Sequence, residues 1–269
     1  QIGMWYGGIA CTLVLLRTKT RNKLRDFVYK HTGRFWRKRE VVRYTVCTIL
    51  ISMLLQGAGQ ALCVWQQRTE AIYFLDVGQG DGILIRSPDG RNIVIDGGST
   101  SQSKCGTYTL LPALRSQGMT EIDCWFVTHT DEDHISGLKE LLLQGKLTQI
   151  KVRTVVFSAY VFQDAALAEL EAVIRAAGIT IVWMREGDVI GDDTFTLTCL
   201  HPTAEYRAKD KNAASLALAY HSDTFDMLFT GDMDADAVAD MDIQQDYDCI
   251  KLPHHGSKYS YVEGVYAHA

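Results

Sequence analysis

Two histidines and three acids stand within six residues in the sequence HTDEDH at positions 129–134. The motif follows an apolar stretch at 124–128 that is typical of a strand, and it opens a helix predicted over 134–143. Imidazole and carboxylate ligands together suit Zn²⁺, Mn²⁺ or iron. Taken alone, the motif favours a solvated acidic helix start over a metal site, because Asp is favoured at that position. The candidate ligands are His129, Asp131, Asp133 and His134.

Two later motifs add candidate ligands at the ends of further apolar stretches. The first is Thr230-Gly231-Asp232 and the second is Pro253-His254-His255-Gly256-Ser257. A carboxylate and a further histidine from these motifs would complete a two-metal site. Such a site polarises a scissile phosphoryl or acyl bond and delivers a hydroxide at neutral pH. The three motifs in this order therefore predict metal-dependent hydrolysis.

The order HxxxDH, GD and HHGS resembles the metallo-β-lactamase superfamily. The finer match is to the outer domain of ComEC-type DNA-uptake channels, and it covers essentially residues 70–265. The resemblance implies an α/β fold, an αββα sandwich with the metals at one edge between the sheets. The matching segments are Phe74–Asp81, Ile95–Gly98, Leu111–Leu114, Thr128–Leu138, Leu200–Pro202, Asn212–Leu218, Phe229–Asp232 and Leu252–Lys258.

The same resemblance implies two divalent metal ions, Zn²⁺ or Mn²⁺, and a role for each candidate residue. His129 and Asp131 would ligate the first ion, and Asp133 and His134 the second. Asp232 would bridge the two ions, and His255, rather than His254, would ligate the first ion. The implied catalytic residues are Asp133, Asp232, His254 and Lys258, and the implied pocket or ligand-orienting residues are Asp81, Asp96, Asn212 and Ser215.

Two features depart from the superfamily pattern. The commoner motif, HxHxDH, has a histidine where Asp131 stands. A carboxylate is a harder ligand than an imidazole, so Asp131 favours Mn²⁺ as much as Zn²⁺. A further glycine-His-Pro motif of the family is absent before Ala269, and His268 does not match it. We therefore expect a fragment of a longer protein, with one ligand of the second metal ion missing.

The charge is divided unevenly along the chain. Residues 1–69 hold 12 Lys and Arg against 2 acids, whereas residues 70–269 hold 15 against 30, within a net charge of −5. Such asymmetry between segments indicates that one of them meets a membrane or a polyanion. The acid excess of the second segment counts against a large DNA-gripping surface, because phosphate neutralisation needs Lys and Arg.

The first segment has the pattern of a membrane region. Residues 44–65 carry no charge and have Tyr44 and Trp65 at their ends. A transmembrane helix is favoured over a buried soluble helix, because this stretch has no polar face. Residues 1–16 are predicted to be part of another span. The basic loop at 17–43 is then cytoplasmic, so the chain after about residue 66 lies on the outer side.

We therefore predict a membrane region at 1–69 and a metallo-β-lactamase-like domain at 70–269, truncated at its C-terminus. The leading hypothesis is a multi-pass protein of the cytoplasmic membrane, a DNA-uptake channel. Its extracellular or periplasmic domain would hydrolyse the non-transported strand during natural transformation. The expected partners are single-stranded DNA, the membrane, and DNA-receptor and translocation proteins. The alternatives are a surface-anchored metallo-hydrolase of a small phosphodiester or ester, and a non-catalytic cap of the channel.

Overall fold

The computed structural model describes residues 22–23, 26–27, 29–30, 46–59, 69–241, 243 and 245–268. The chain divides into two units, residues 1–66 and 67–269. In the first unit, residues 46–59 are helical. None of the helices in the described ranges combines the length and apolar character needed to cross a membrane. The predicted span over 44–65 extends past the described residues at both ends. The partial span at 1–16 and most of the loop at 17–43 lie outside them, and all three stay predictions.

The second unit contains two mixed sheets. The first has the strand order β1-β2-β3-β4-β5-β6, with antiparallel pairing up to β3 and parallel pairing from β3 to β6. Its strands are β1 Ala71–Phe74, β2 Gly82–Arg86, β3 Asn92–Asp96, β4 Glu121–Phe126, β5 Lys151–Ser158 and β6 Thr180–Met184.

The second sheet has the order β11-β10-β9-β8-β7 and is antiparallel except for the parallel pair β10 and β11. Its strands are β7 Val189–Gly191, β8 Phe195–His201, β9 Ala217–Ser222, β10 Asp226–Phe229 and β11 Cys249–Ile250. The described helices of this unit are α1 Leu111–Ser116, α2 Glu132–Gln144, α3 Ala165–Ala176, α4 Ala235–Asp240 and α5 Glu263–Tyr266.

Alternating side chains on β2 show how the layers stack. Ile83 and Ile85 join a buried cluster that also contains Phe195 and Phe229 of the second sheet, so this cluster lies between the sheets. Leu84 points to the opposite face, into a cluster with residues of α1, α2 and α3. This period of two is inherent in a pleated strand, and a strand buried on both faces is apolar throughout.

A third cluster covers the outer face of the second sheet, where Ala219 and Leu228 pack against Val238 of α4. Helices therefore flank both sheets, and the order of layers is the expected αββα sandwich. The segment before α1 is a π-helix, Gly106–Leu110, within the region where a single helix fits the sequence pattern. The described cysteines of this unit, Cys105, Cys124, Cys199 and Cys249, are free thiols.

Candidate metal centre

The candidate centre lies where neighbouring parallel strands end. Asp96 is the last residue of β3, and residues 129–131 follow the adjacent β4. Asp232 and His255 follow β10 and β11, which are also parallel neighbours. Since the carboxyl ends of parallel strands meet at one edge of a sheet, the topology brings motifs far apart in sequence to one place.

Four side chains converge at this edge. Asp133, His134, Asp232 and His255 each offer a ligand atom, and these atoms all lie within 4.8 Å of one another. Asp232 Oδ2 is at the centre, 3.2 Å from His134 Nε2 and 3.2 Å from His255 Nε2. His255 Nε2 is 3.7 Å from Asp133 Oδ2. Two imidazoles and two carboxylates suit a borderline divalent cation such as Zn²⁺ or Mn²⁺.

Asp96 orients the centre from behind. It is fully buried, and its Oδ2 accepts hydrogen bonds from His134 Nδ1 at 2.8 Å and from Thr128 Oγ1 at 2.7 Å. Its Oδ1 accepts one from the Thr128 backbone N–H at 2.8 Å. With Nδ1 held in this way, His134 presents Nε2 to Asp232, which is how carboxylates fix metal-binding histidines. This geometry supports the orienting role that the sequence resemblance implied for Asp96.

His129 and Asp131 form a second arm of the site. His129 Nε2 lies 3.7 Å from Asp131 Oδ2, and its ring centroid is 4.1 Å from that of His134. Within the described part of the chain, His129 Nε2 and Asp232 Oδ1 are buried atoms without a hydrogen-bond partner. Such atoms are costly unless they bind a ligand. The residues present therefore fit divalent ions.

His255 takes a different place from the one we expected. We expected it beside His129 and Asp131, but its Nε2 lies near Asp133 and Asp232 instead. His254 and His255 have positive φ angles of 47° and 53°, and this left-handed turn redirects the chain after β11. The group around Asp133 thus has four candidate ligands within this chain. The expected shortage of one ligand of the second metal ion stays a prediction.

Two lysines that the sequence analysis missed also lie at the centre. Lys251, at the end of β11, places Nζ 2.7 Å from Asp81 Oδ2 and 3.9 Å from Asp232 Oδ1. Lys211 lies 3.0 Å from Asp131 Oδ1. Lys251 directly precedes the LPHHGS segment and Lys211 directly precedes Asn212. This closeness in sequence to predicted site residues was the only sign that either lysine lies at the centre.

The remaining predicted residues lie around the centre. Asp81 Oδ1 is 3.6 Å from His255 Nδ1, and Ser215 Oγ accepts a hydrogen bond from the Asp232 N–H at 3.1 Å. The Asn212 carbonyl accepts one from the Ser215 N–H. His254 and Lys258 are outside the converging group, and Lys258 Nζ lies over the Tyr259 ring. The catalytic roles of His254 and Lys258 stay predictions.

Protons on two histidines offset part of the negative charge of the metal-free centre. Burial would lower the pKa of His134, but Asp96 and Asp232 raise it to about 10. The neighbouring carboxylates of Asp133, Asp232 and Asp81 raise the pKa of His255 to about 11. Burial and the nearby His134 keep the pKa of His129 well below its ordinary value. Two imidazolium groups therefore offset part of the carboxylate charge at neutral pH, whereas His129 is neutral.

We expect metal binding at pH 7 to release about two protons, because ligand imidazoles must be deprotonated. Raising the pH removes this competition, so affinity should increase with pH up to the raised pKa values. Calorimetric titration with Mn²⁺ or Zn²⁺ in buffers of different ionisation enthalpy measures the number released. H255Q should lower that number by about one, and H221Q, at an exposed histidine outside the centre, should leave it unchanged. A binding heat independent of the buffer would contradict this expectation.

Gly98 holds β3 against the first turn of α2. A Cβ added there would lie 2.6 Å from the Asp133 carbonyl carbon, the Glu132 oxygen and the His134 nitrogen. We expect G98A to push the start of α2 away, with a loss of about 1–3 kcal/mol in stability and weaker metal binding. G264A is the matched control, since its Cβ would meet nothing within 4 Å. Denaturant unfolding and metal titration of both variants measure the effect, and equal behaviour would refute it.

Residues 75–204 match the sequence model described as the Metallo-beta-lactamase superfamily. ComE operon protein 3 of Bacillus subtilis (strain 168) is 31% identical over 200 residues, covering 68% of this chain and 25% of that protein. The chain thus spans about a quarter of that relative's length.

Two solved structures are among those similar to this chain. The metallo-beta-lactamase fold protein YhfI from Bacillus subtilis is 14% identical with a TM-score of 0.44, covering 67% of this chain and 70% of that one. CmlA, a diiron beta-hydroxylase from Streptomyces venezuelae, is 16% identical with a TM-score of 0.42, covering 68% and 34%.

Proposed function

Since residues 75–204 form a metallo-β-lactamase superfamily domain in a chain similar to ComE operon protein 3, we propose that this domain hydrolyses phosphodiester bonds in single-stranded DNA. The superfamily is one of metal-dependent hydrolases, and its fold implies divalent metal binding. The observation that carries the proposal is the convergence of Asp133, His134, Asp232 and His255 on one point.

Metal ions held by this group and by His129 and Asp131 would supply a hydroxide at neutral pH and polarise the scissile bond. The chain's own residues then have distinct tasks. Asp96 keeps Nε2 of His134 directed at Asp232. Lys251 holds Asp81 and donates a hydrogen bond to the Gly231 carbonyl at 3.0 Å, which ties the residue before Asp232 to β11. Lys258, on the exposed rim, is the residue we assign to pairing with a substrate phosphate.

The membrane and DNA-uptake parts of the proposal have separate support. The basic loop and the uncharged stretch at 44–65 favour a membrane region, and the helical residues 46–59 expose Leu54 and Leu55. The resemblance to ComEC-type channels favours a multi-pass protein of the cytoplasmic membrane with the hydrolase domain outside. Single-stranded DNA, a DNA receptor and translocation proteins would then be its partners.

A second candidate function is hydrolysis of a small phosphodiester or ester. The excess of 30 acids over 15 Lys and Arg in residues 70–269 favours it, because a polyanion is repelled by such a surface. In the DNA-uptake proposal, other parts of the channel would hold the DNA. A non-catalytic cap is the third alternative, and the convergent ligand set argues against it.

The test is a cleavage assay with the full chain, loaded with Mn²⁺ or Zn²⁺. Single-stranded DNA and bis(p-nitrophenyl) phosphate are offered as separate substrates, with EDTA as the control. Metal-dependent cleavage of DNA supports the proposal. Turnover of the small ester alone supports the second candidate, and no turnover of either substrate by the metal-loaded chain overturns both.

A further inference from the structure

Lys211 touches the candidate metal centre without being a candidate ligand. Its Nζ lies between two carboxylates, 3.0 Å from Asp131 Oδ1 and 2.8 Å from Asp164 Oδ2. The other oxygen of Asp131, Oδ2, faces His129 Nε2 at 3.7 Å. One carboxylate is therefore shared between an ammonium group and the imidazole that we assign to the first ion.

The position of this ammonium group is fixed by Asp164. Asp164 is the N-cap of α3, and its Oδ1 accepts the Leu167 N–H at 2.8 Å. Its Oδ2 is then the atom that pairs with Lys211, whose side chain is 28% exposed. Because Asp164 is held at a helix start, Lys211 is anchored beside Asp131 rather than free to swing away.

The two halves of the centre therefore meet different competitors. At the Asp133 half, the ammonium group of Lys251 pairs with Asp81 Oδ2 at 2.7 Å and stays 3.9 Å from the candidate ligand atom Asp232 Oδ1. At the His129 half, the charge on Asp131 is compensated by an ammonium group on a four-carbon stem. A lysine ammonium group is charged at neutral pH, so it competes with a cation for Asp131.

We propose that Lys211 is a positioning residue that makes the His129–Asp131 half a weak, exchangeable metal site and leaves the Asp133–His134–Asp232–His255 half as the tight one. The ammonium group turns Asp131 Oδ2 towards His129. It also repels a divalent cation and withdraws negative charge from the ligand. The inference concerns metal affinity alone, so it stands or falls independently of which substrate is hydrolysed.

The experiment is a titration of the metal-free full chain with Mn²⁺, in which electron paramagnetic resonance counts the free ion. We expect the wild type to bind one ion tightly and a second at least tenfold more weakly. K211M should tighten the second ion by about tenfold and leave the first unchanged, because Asp131 and Asp164 lose their compensating charge. K211R, which keeps the charge, should behave like the wild type.

A further variant separates this effect from a structural one. K209M is the matched control, since Lys209 pairs with Asp234 and Asp236. It should change neither affinity. Equal affinities in the wild type, or an unchanged or weaker second ion in K211M, would overturn the proposal. Unchanged binding of the first ion reports that each variant is folded.

Discussion

D232N is expected to lower metal affinity by at least about 100-fold and to abolish hydrolysis. Loss of a residue that only orients a ligand already costs up to about 100-fold in metal affinity, and Asp232 is itself a candidate ligand. Asp232 Oδ2 lies 3.2 Å from both His134 Nε2 and His255 Nε2, so it links the elements of the site. Burial would raise the pKa of Asp232, but His134 and His255 keep it well below its usual value. The carboxylate is therefore ionised, and Asn preserves its shape while removing its charge.

Mn²⁺ titration and hydrolysis of bis(p-nitrophenyl) phosphate measure the two effects in the same preparation. D234N is the matched control two residues away. Asp234 is the N-cap of α4 and accepts the Ala237 N–H at 2.9 Å, and Asn is an equally good cap. D234N should retain metal binding and activity. Metal affinity of wild-type strength in D232N would remove Asp232 from the ligand set and the proposed mechanism with it.

D96N is expected to destabilise the metal-free protein by about 3–5 kcal/mol, the cost of removing one partner from a buried ion pair. The carboxylate accepts three hydrogen bonds, from the Thr128 backbone, the Thr128 hydroxyl and His134 Nδ1. An Asn amide group would place a donor where Oδ2 now accepts two of them. Asn tolerates the φ of 56° at this position, so the backbone itself is not strained by the change.

Denaturant unfolding of metal-free D96N measures the loss of stability, and T128V provides a graded comparison. T128V removes one hydroxyl from the same network and should cost about 1–3 kcal/mol. D96N should also weaken metal binding by about 10- to 100-fold, since His134 loses the partner that orients it. An unfolding midpoint equal to that of the wild type would contradict the assigned role of Asp96.

The chemistry of the site could be predicted from the sequence, because the types of the ligands and the strand–turn–helix pattern around them are visible within short stretches of the chain. HTDEDH lies between an apolar strand and an amphipathic helix, and the structure has β4 ending at Phe126 and α2 starting at Glu132. The α/β fold class followed from the family resemblance that these motifs carry. Short elements such as α4 and the three-residue β7 show no clear period in the sequence, because each has only a few residues.

The grouping of these residues was decided by tertiary structure alone. His255 joins Asp133 because β11 pairs with β10 and the left-handed turn after it aims the ring there. Lys211 pairs with Asp131 and Lys251 pairs with Asp81, and in each pair the two residues are far apart in sequence. Side-chain direction at such positions depends on sheet register and on how two sheets face each other, which no local pattern encodes. The sequence by itself therefore determined the types of the candidate ligands and the fold class, whereas the packing of the two sheets decided which of these side chains lie together and which lysines lie beside them.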